Sequence, residues 1–236
     1  MLQKNNTYIN QNKSVCIVMP VYNEGLVVKK HIEEIKMCFT NIVCVDDGSS
    51  DNTLEQLKSS GVYVVSHPFN MGQGASLQTG VEVARAMDGI DYFVTVDADG
   101  QHRVQDILKV AKEIKKNKHD VVLGSRFLKA IDGVPFSKRM FLKMATKFSN
   151  AVSGIKLTDT HNGLRSFNRD FAEPLQIEMS DMAHASEILD YIKIKRFSYK
   201  EVPVKILYTD YSMSKGQSLT NAVNICFDII LKRIAK

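Results

Sequence analysis

The sequence predicts an α/β fold: a Rossmann-like, mostly parallel sheet with helices on both faces. Three observations predict it. Short apolar runs without polar alternation recur through the first half, as in strands buried on both faces. Segments with helical spacing separate them. Polar clusters follow the runs, at the strand ends where open α/β sheets carry their functional loops.

The elements follow in order. Val15–Met19 is the first apolar run, and Leu26–Cys38 has helical spacing. Ile42–Val45 and Val62–Ser66 are the second and third runs. Gln73–Met87 reads as a helix, Tyr92–Val96 as a strand, Val104–Lys116 as a helix and Val121–Gly124 as a strand. The second half is less regular. A helical stretch runs from Pro135 to Val152, Thr158–Arg165 (T-D-T-H-N-G-L-R) is a polar loop, and Ser186–Lys193 is helical. Val202–Leu207 reads as a strand, and Leu219–Ile234 as an apolar helix. Without repeats, low-complexity segments or linkers, the chain divides simply: a polar tail over 1–13 and one domain over 14–236.

Composition excludes several classes. Of 236 residues, 44% are hydrophobic and 24% charged, which is globular rather than disordered. A net charge of +5 suits an anionic ligand or an anionic membrane surface and is too weak for a nucleic-acid partner. The first residues, M-L-Q-K-N-N-T, are polar, against a signal peptide. No apolar run approaches the ~18–20 residues of a spanning helix. Cys16, Cys38, Cys44 and Cys226 form no CxxC pair, and Cys16 and Cys44 sit in apolar runs; a reducing, cytosolic setting is expected.

The densest chemistry lies in V-T-V-D-A-D-G-Q-H, Val94–His102. On an extended backbone residues i and i+2 point the same way, so Asp97 and Asp99 reach one point past the strand end. Two anions that close repel unless a cation sits between them, and carboxylate oxygens suit Mg2+ or Mn2+. A solvated Asp–Gly turn is the competing reading of these residues alone. In D-D-G-S-S-D-N-T, Asp51 or Asn52 caps a helix, while Asp46 and Asp47 end a buried strand and suit nucleobase donors or ribose hydroxyls. Asn70–Gly74 (N-M-G-Q-G) is a turn and helix entry that can line the site; it lacks the third glycine of a dinucleotide fingerprint. Arg126 follows the fifth strand, and its fork matches phosphate oxygens. His102 and His161 have no zinc-like partner set.

Two helices carry a second pattern. Met140, Met144 and Phe148 recur every four residues with Phe141 beside them, and Arg139, Lys143 and Lys147 form a cationic stripe. An ordinary surface helix shows this too, but so does one lying in a membrane interface. The segments 136–152 and 217–235 are therefore candidate interface helices.

Taken together, V-M-P-V-Y-N-E (Val18–Glu24), V-D-D-G-S-S-D-N-T (Val45–Thr53), N-M-G-Q-G-A-S (Asn70–Ser76), D-A-D-G-Q-H (Asp97–His102) and G-S-R-F (Gly124–Phe127) resemble glycosyltransferase family 2. T-D-T-H-N-G-L-R-S-F (Thr158–Phe167), E-V-P-V (Glu201–Val204) and Ser214-Lys215-Gly216 resemble its dolichyl- and polyprenyl-phosphate branch, although the C-terminal transmembrane helices of many members are missing. The resemblance implies a GT-A fold, a UDP- or GDP-hexose donor and a bound Mg2+ or Mn2+. Pro20, Tyr22, Glu24 and Asp47 would hold base and ribose. Asp97 and Asp99 would be the metal-binding pair, with Gln101 adding a contact. Arg126, Arg165 and Lys215 would lie near the phosphates.

The implied activity is an inverting hexosyl transfer to a polyprenyl phosphate or lipid-linked glycan in cell-surface glycan synthesis. The enzyme would be cytoplasmic and peripheral at the inner face of the membrane, with a membrane-anchored protein as a candidate partner. A lipid phosphate needs no general base; a sugar hydroxyl does, and Asp159, Asp181 and Glu187 are candidates. The alternatives are a nucleotidyltransferase and a non-catalytic nucleotide-sugar binding subunit.

Overall fold

A computed structural model describes residues 11–128, 140, 144, 146, 147, 150, 154–160, 162–179 and 184–207. Seven strands form one sheet: β1 (Val15–Val21), β2 (Asn41–Asp46), β3 (Tyr63–Ser66), β4 (Tyr92–Thr95), β5 (Val121–Ser125), β6 (Arg165–Asn168) and β7 (Tyr199–Pro203). Their order is β3-β2-β1-β4-β6-β5-β7. Every pairing is parallel except those of β6, which runs antiparallel to both β4 and β5.

The described helices are α1 (Val28–Lys36), α2 (Thr53–Ser59), α3 (Gln73–Arg85), α4 (Val104–Ile114), α5 (Arg169–Ala172) and α6 (His184–Ile194). Strand alternation sorts the core into two layers. Val15, Ile17, Met19 and Val21 face Ile32 and Ile35 of α1 and Ile107, Val110 and Ile114 of α4. Cys16 and Val18 face the other way, toward Leu77, Val81 and Ala84 of α3 and Ile188, Leu189 and Ile192 of α6. All of β1 is buried because both faces are covered, which is why its sequence reads as an unbroken apolar run. On the α3 side, Phe93 and Phe167 stack at 5.6 Å and Phe171 tilts onto Phe167 at 5.2 Å, clamping β6 to β4.

Several expectations are corrected. No strand was expected at Arg165–Asn168, yet β6 sits between β4 and β5. Its four residues, R-S-F-N, are too short and too polar to show a strand period. The last strand among the described residues spans Tyr199–Pro203 rather than Val202–Leu207; beyond it, Ile206 makes an isolated bridge to His102. The helix expected from Leu26 starts at Val28, and Leu26 is exposed. Just before β1 the chain is tied to the rest of the fold. Asn12 is buried and donates to the Cys38 carbonyl at 3.1 Å, while Lys115 Nζ donates to its Oδ1 at 2.7 Å.

In the stretch 136–152, Met140, Met144, Thr146, Lys147 and Asn150 are helical; both methionines are exposed and Thr146 is buried. Arg139, Phe141, Lys143 and Phe148 lie outside the described residues, as do Lys215 and the whole of 217–235. No helix among the described residues is long and apolar enough to cross a membrane.

Candidate active site

The carboxyl ends of β1, β2, β4 and β5 open on one edge of the sheet. Past β1, Tyr22-Asn23-Glu24-Gly25 turns and is stitched to the loop after β2. Asn23 N–H donates to Ser49 Oγ at 2.9 Å, Ser50 N–H to Asn23 Oδ1 at 2.8 Å and Glu24 N–H to Thr53 Oγ1 at 2.8 Å. Asn52 stands at the N-cap of the helix Thr53–Ser59 without a side-chain cap bond, and Asp51 before it accepts from Thr53 N–H at 2.9 Å. Gly48 takes φ +68° with the Phe69 backbone against it; an added Cβ would lie 2.5 Å from that carbonyl carbon, so the turn needs glycine. Tyr22 is exposed, whereas Pro20 is buried inside β1 beyond Val18, where pairing with β4 has ended.

The two acids that end β2 have separate tasks. Asp47 is buried and accepts from Met71 N–H at 3.0 Å and Gly72 N–H at 2.8 Å, with His67 Nδ1 at 2.8 Å. Its carboxylate therefore fixes the turn that enters α3. Asp46 accepts from Ser66 Oγ at 3.1 Å, and its other oxygen is buried without a hydrogen-bond partner.

Asp97 and Asp99 follow β4. Asp97 stays about one-third exposed, at 34%, and its Oδ1 accepts from Gln73 Nε2 at 3.2 Å. His102 is buried beside it: Asp97 N–H donates to His102 Nδ1 at 3.2 Å, and His102 Nε2 lies 3.7 Å from Asp97 Oδ2. A ring nitrogen that accepts leaves the proton on the other, so Nε2–H faces the carboxylate. Asp99 Oδ1 accepts from Gln101 N–H at 3.0 Å. Burial first, then the adjacent Asp97 charge, push Asp99 up to about 6, and Glu24 across the cleft adds to the rise. The first and fourth strand ends thus meet around one electronegative point.

The block after β5 is built around an ion pair. Arg126 Nε donates to Asp159 Oδ2 at 2.7 Å and Nη2 to Oδ1 at 2.8 Å, a bidentate fork on a buried carboxylate. Glu201 of β7 anchors the same turn, accepting from Thr158 N–H at 2.9 Å and Asp159 N–H at 3.2 Å. Arg165 is buried rather than at the cleft surface. Its Nε donates to the Asn162 carbonyl at 3.1 Å, and burial pulls it down to about 10 while Asp97 and Asp159 hold it up. Gly163 lies directly on the metal-pair acid: a Cβ there would sit 2.4 Å and 2.5 Å from the two Asp97 oxygens.

Of the residues singled out in the sequence, Tyr22, Glu24, Asp47, Asp97, Asp99, Gln101, Arg126 and Asp159 lie at this edge, and Arg165 lies beneath it. Glu187 is on α6 and has other partners, accepting from Glu178 N–H at 3.1 Å and Met179 N–H at 2.9 Å. His161, Asp181 and Lys215 lie outside the described residues. Sequence reasoning placed Gln73 only within a turn that can line the site, missed Gly163 and Glu201 as site-building groups, and found no role for His102. The signals were present only as single letters inside N-M-G-Q-G, H-N-G-L-R, E-V-P-V and D-G-Q-H.

Among the described residues no three His, Cys, Asp or Glu side chains converge as a ready-made metal cage. The donor chemistry nevertheless fits a hard divalent cation. The Asp97 charge adds to the cost of ionising Asp99 beside it, and a cation with oxygen ligands would remove that cost.

The family model described as Glycosyl transferase family 2 matches residues 16–175. The uncharacterized protein MJ1222 of Methanocaldococcus jannaschii is 33% identical over 241 residues, covering 99% of both chains. The UDP-N-acetylglucosamine–dolichyl-phosphate N-acetylglucosaminyltransferase of Methanococcus voltae is 29% identical over 247 residues, 95% of this chain and 98% of that one. Glucosyl-3-phosphoglycerate synthase from Mycobacterium tuberculosis, solved with Mn2+, UDP and glucosyl-3-phosphoglycerate, superposes with a TM-score of 0.74 at 15% identity, over 100% of this chain and 83% of that one. That likeness is one of fold, and the fold is GT-A-like.

Proposed function

The chain belongs to glycosyl transferase family 2, and from that premise we propose an inverting hexosyltransferase dependent on Mg2+ or Mn2+. It moves a hexose from a UDP- or GDP-hexose to a polyprenyl phosphate or lipid-linked glycan, at the cytoplasmic face of the membrane where cell-surface glycans are made. Family membership makes the chain a glycosyltransferase and sets the nucleotidyltransferase reading aside.

The observation that carries the reading is the Asp97–Asp99 pair at the end of β4, with Glu24 near enough to add to the raised Asp99. Asp97 and Asp99 would hold the cation, which when bound offsets charge building on the departing diphosphate. Arg126 brings a cation to the same edge, its orientation held by Asp159. Asp47 acts on the nucleotide pocket through the 70–72 turn, whose amide hydrogens it aligns. Tyr22, Glu24 and Gln101 line the cleft beside it.

The acids available as bases bear on the acceptor. Asp159 is committed to Arg126, and Glu187 accepts from two backbone amides. A sugar hydroxyl would need a base such as one of these or Asp181, which lies outside the described residues, whereas a lipid phosphate is already anionic and needs none. This favours the polyprenyl phosphate, in line with the dolichyl-phosphate named for the Methanococcus relative.

The test is transfer from UDP-, GDP- and dTDP-hexoses with Mn2+ to a short polyprenyl phosphate and, separately, to the unphosphorylated prenol. Glycosylated lipid from the phosphate alone is expected. Transfer to the prenol or to a free sugar in preference would overturn the acceptor assignment.

A further inference from the structure

Asp97 is held at the cleft by contacts from three separate stretches of chain. Gln73, the first residue of α3, donates its side-chain amide to Oδ1 at 3.2 Å. His102, on the approach to α4, takes the Asp97 N–H and faces Oδ2. Gly163, on the approach to β6, offers a bare Cα against the carboxylate; any Cβ there would fall 2.4–2.7 Å from its oxygens and carbon. Atoms essentially never approach that closely, so a side chain at 163 must displace Asp97. The carboxylate keeps an open side all the same, being 34% exposed. A carboxylate accepts at about four lone-pair sites, so these contacts leave acceptor capacity over.

We infer that Gln73 and Gly163 are positioning residues that hold Asp97 in a fixed orientation for a divalent cation. The inference rests on the reading of Asp97 and Asp99 as the metal pair. Left to itself, Asp97 would rotate away from Asp99, because like charges separate. Gln73 restrains Oδ1 from one side, and Gly163 makes room for the carboxylate to lie where Gln73 can reach it. The cation then meets an oxygen already in place, and the ordering cost is met by the fold rather than by binding. Groups that orient a metal ligand without touching the metal typically change affinity ~10–100-fold.

The test uses Mn2+ alone, with the full-length protein and no nucleotide, reading free Mn2+ by its paramagnetic resonance signal. Gln73→Met keeps the length and removes the amide; Gly163→Ala adds the one methyl group that Asp97 leaves no space for; Asp97→Asn reports on the metal assignment itself. The expected result is Mn2+ affinity lowered roughly tenfold or more in both Gln73→Met and Gly163→Ala, with metal-free melting temperatures close to the unaltered protein. Lost Mn2+ binding in Asp97→Asn beside unchanged affinity in the other two would overturn the positioning role and leave the metal pair standing. Unchanged Mn2+ binding in Asp97→Asn would remove the metal pair and the inference with it. Should Gly163→Ala fail to fold, Gln73→Met decides, since Gln73 is only half-buried.

Discussion

Asp99→Asn separates the cost of the acidic pair from its use. Asparagine keeps the shape and the oxygen that accepts from Gln101 N–H at 3.0 Å, and removes the charge. In the fold Asp99 is raised from 3.8 to about 6 by burial, by Asp97 and by Glu24. That is about two pH units, or about 3 kcal/mol at ~1.36 kcal/mol per unit. Asp99 is partly solvated, so the stabilisation on removing its charge is about 1–3 kcal/mol. The sign follows from linkage. A carboxyl whose folded value lies above its unfolded one makes the fold more stable when protonated. That stability is fully present below about 4 and is lost as pH rises through about 6.

Metal-free Asp99→Asn should therefore melt above the unaltered protein at pH 7.5, by on the order of 5 °C for a chain of this length. The gap should close near pH 4. Adding Mn2+ should raise the melting point of the unaltered protein and leave the variant where it was, and transfer should be lost. Calorimetry with chelator and with Mn2+, at both pH values, reads all of this. A variant that melts lower at pH 7.5, or one that Mn2+ stabilises equally, would refute the paired-acid reasoning.

Three further outcomes are expected. Asp47→Ala strips the acceptor from Met71 and Gly72 N–H, so UDP affinity measured by calorimetry should fall about tenfold, at ~1–3 kcal/mol for unsatisfied buried donors, and by more than Mn2+ affinity; unchanged UDP binding would take Asp47 out of the pocket. Arg165→Met leaves the Asn162 carbonyl without its buried donor and removes a buried cation near Asp97 and Asp159, so the urea midpoint should drop by the equivalent of ~3–5 kcal/mol. An unchanged midpoint would show that this guanidinium holds nothing. Co-sedimentation with anionic vesicles should weaken with salt and, at ~1 kcal/mol per cation, at least about tenfold when Lys143 and Lys147 become Glu; insensitivity to both would make the stripe ordinary solvated helix.

The sequence was most legible where burial was symmetrical. β1, β2, β4 and β5 are covered on both faces, so they appear as apolar runs, and the polar residues after them fall at one edge by geometry alone. The place of Asp97 and Asp99 at the end of β4 was legible, but they lie in the turn after Thr95 rather than on extended strand, so strand period does not set their mutual orientation. The roles of Asp47 and Arg165 were less legible, because a carboxylate turned inward onto Met71 and Gly72 reads the same as one turned outward. Gly163 was not legible at all: its importance lies in an absent side chain, and only the position of Asp97 makes that absence matter. Glu201 shows the same difficulty, since its partners Thr158 and Asp159 stand over forty positions away.

The reversed strand ties these residues into one site. Arg165 begins β6 and pairs with Thr95 at the end of β4 and with Leu123 near the end of β5. Because β6 is antiparallel, the chain leading into it arrives at the edge where β4 and β5 finish. A parallel strand in the same slot would have entered from the opposite edge and carried residues 158–164 away from the acids. Reversal sets Gly163 against Asp97, brings Asp159 to Arg126 and buries Arg165 beneath both acids, where its charge offsets part of theirs. The block that looked like a polar loop is therefore the underside of the cleft. Its hydrogen bonds run to the Arg126 guanidinium and the Glu201 carboxylate as well as to backbone groups, as expected of residues that hold other groups in position.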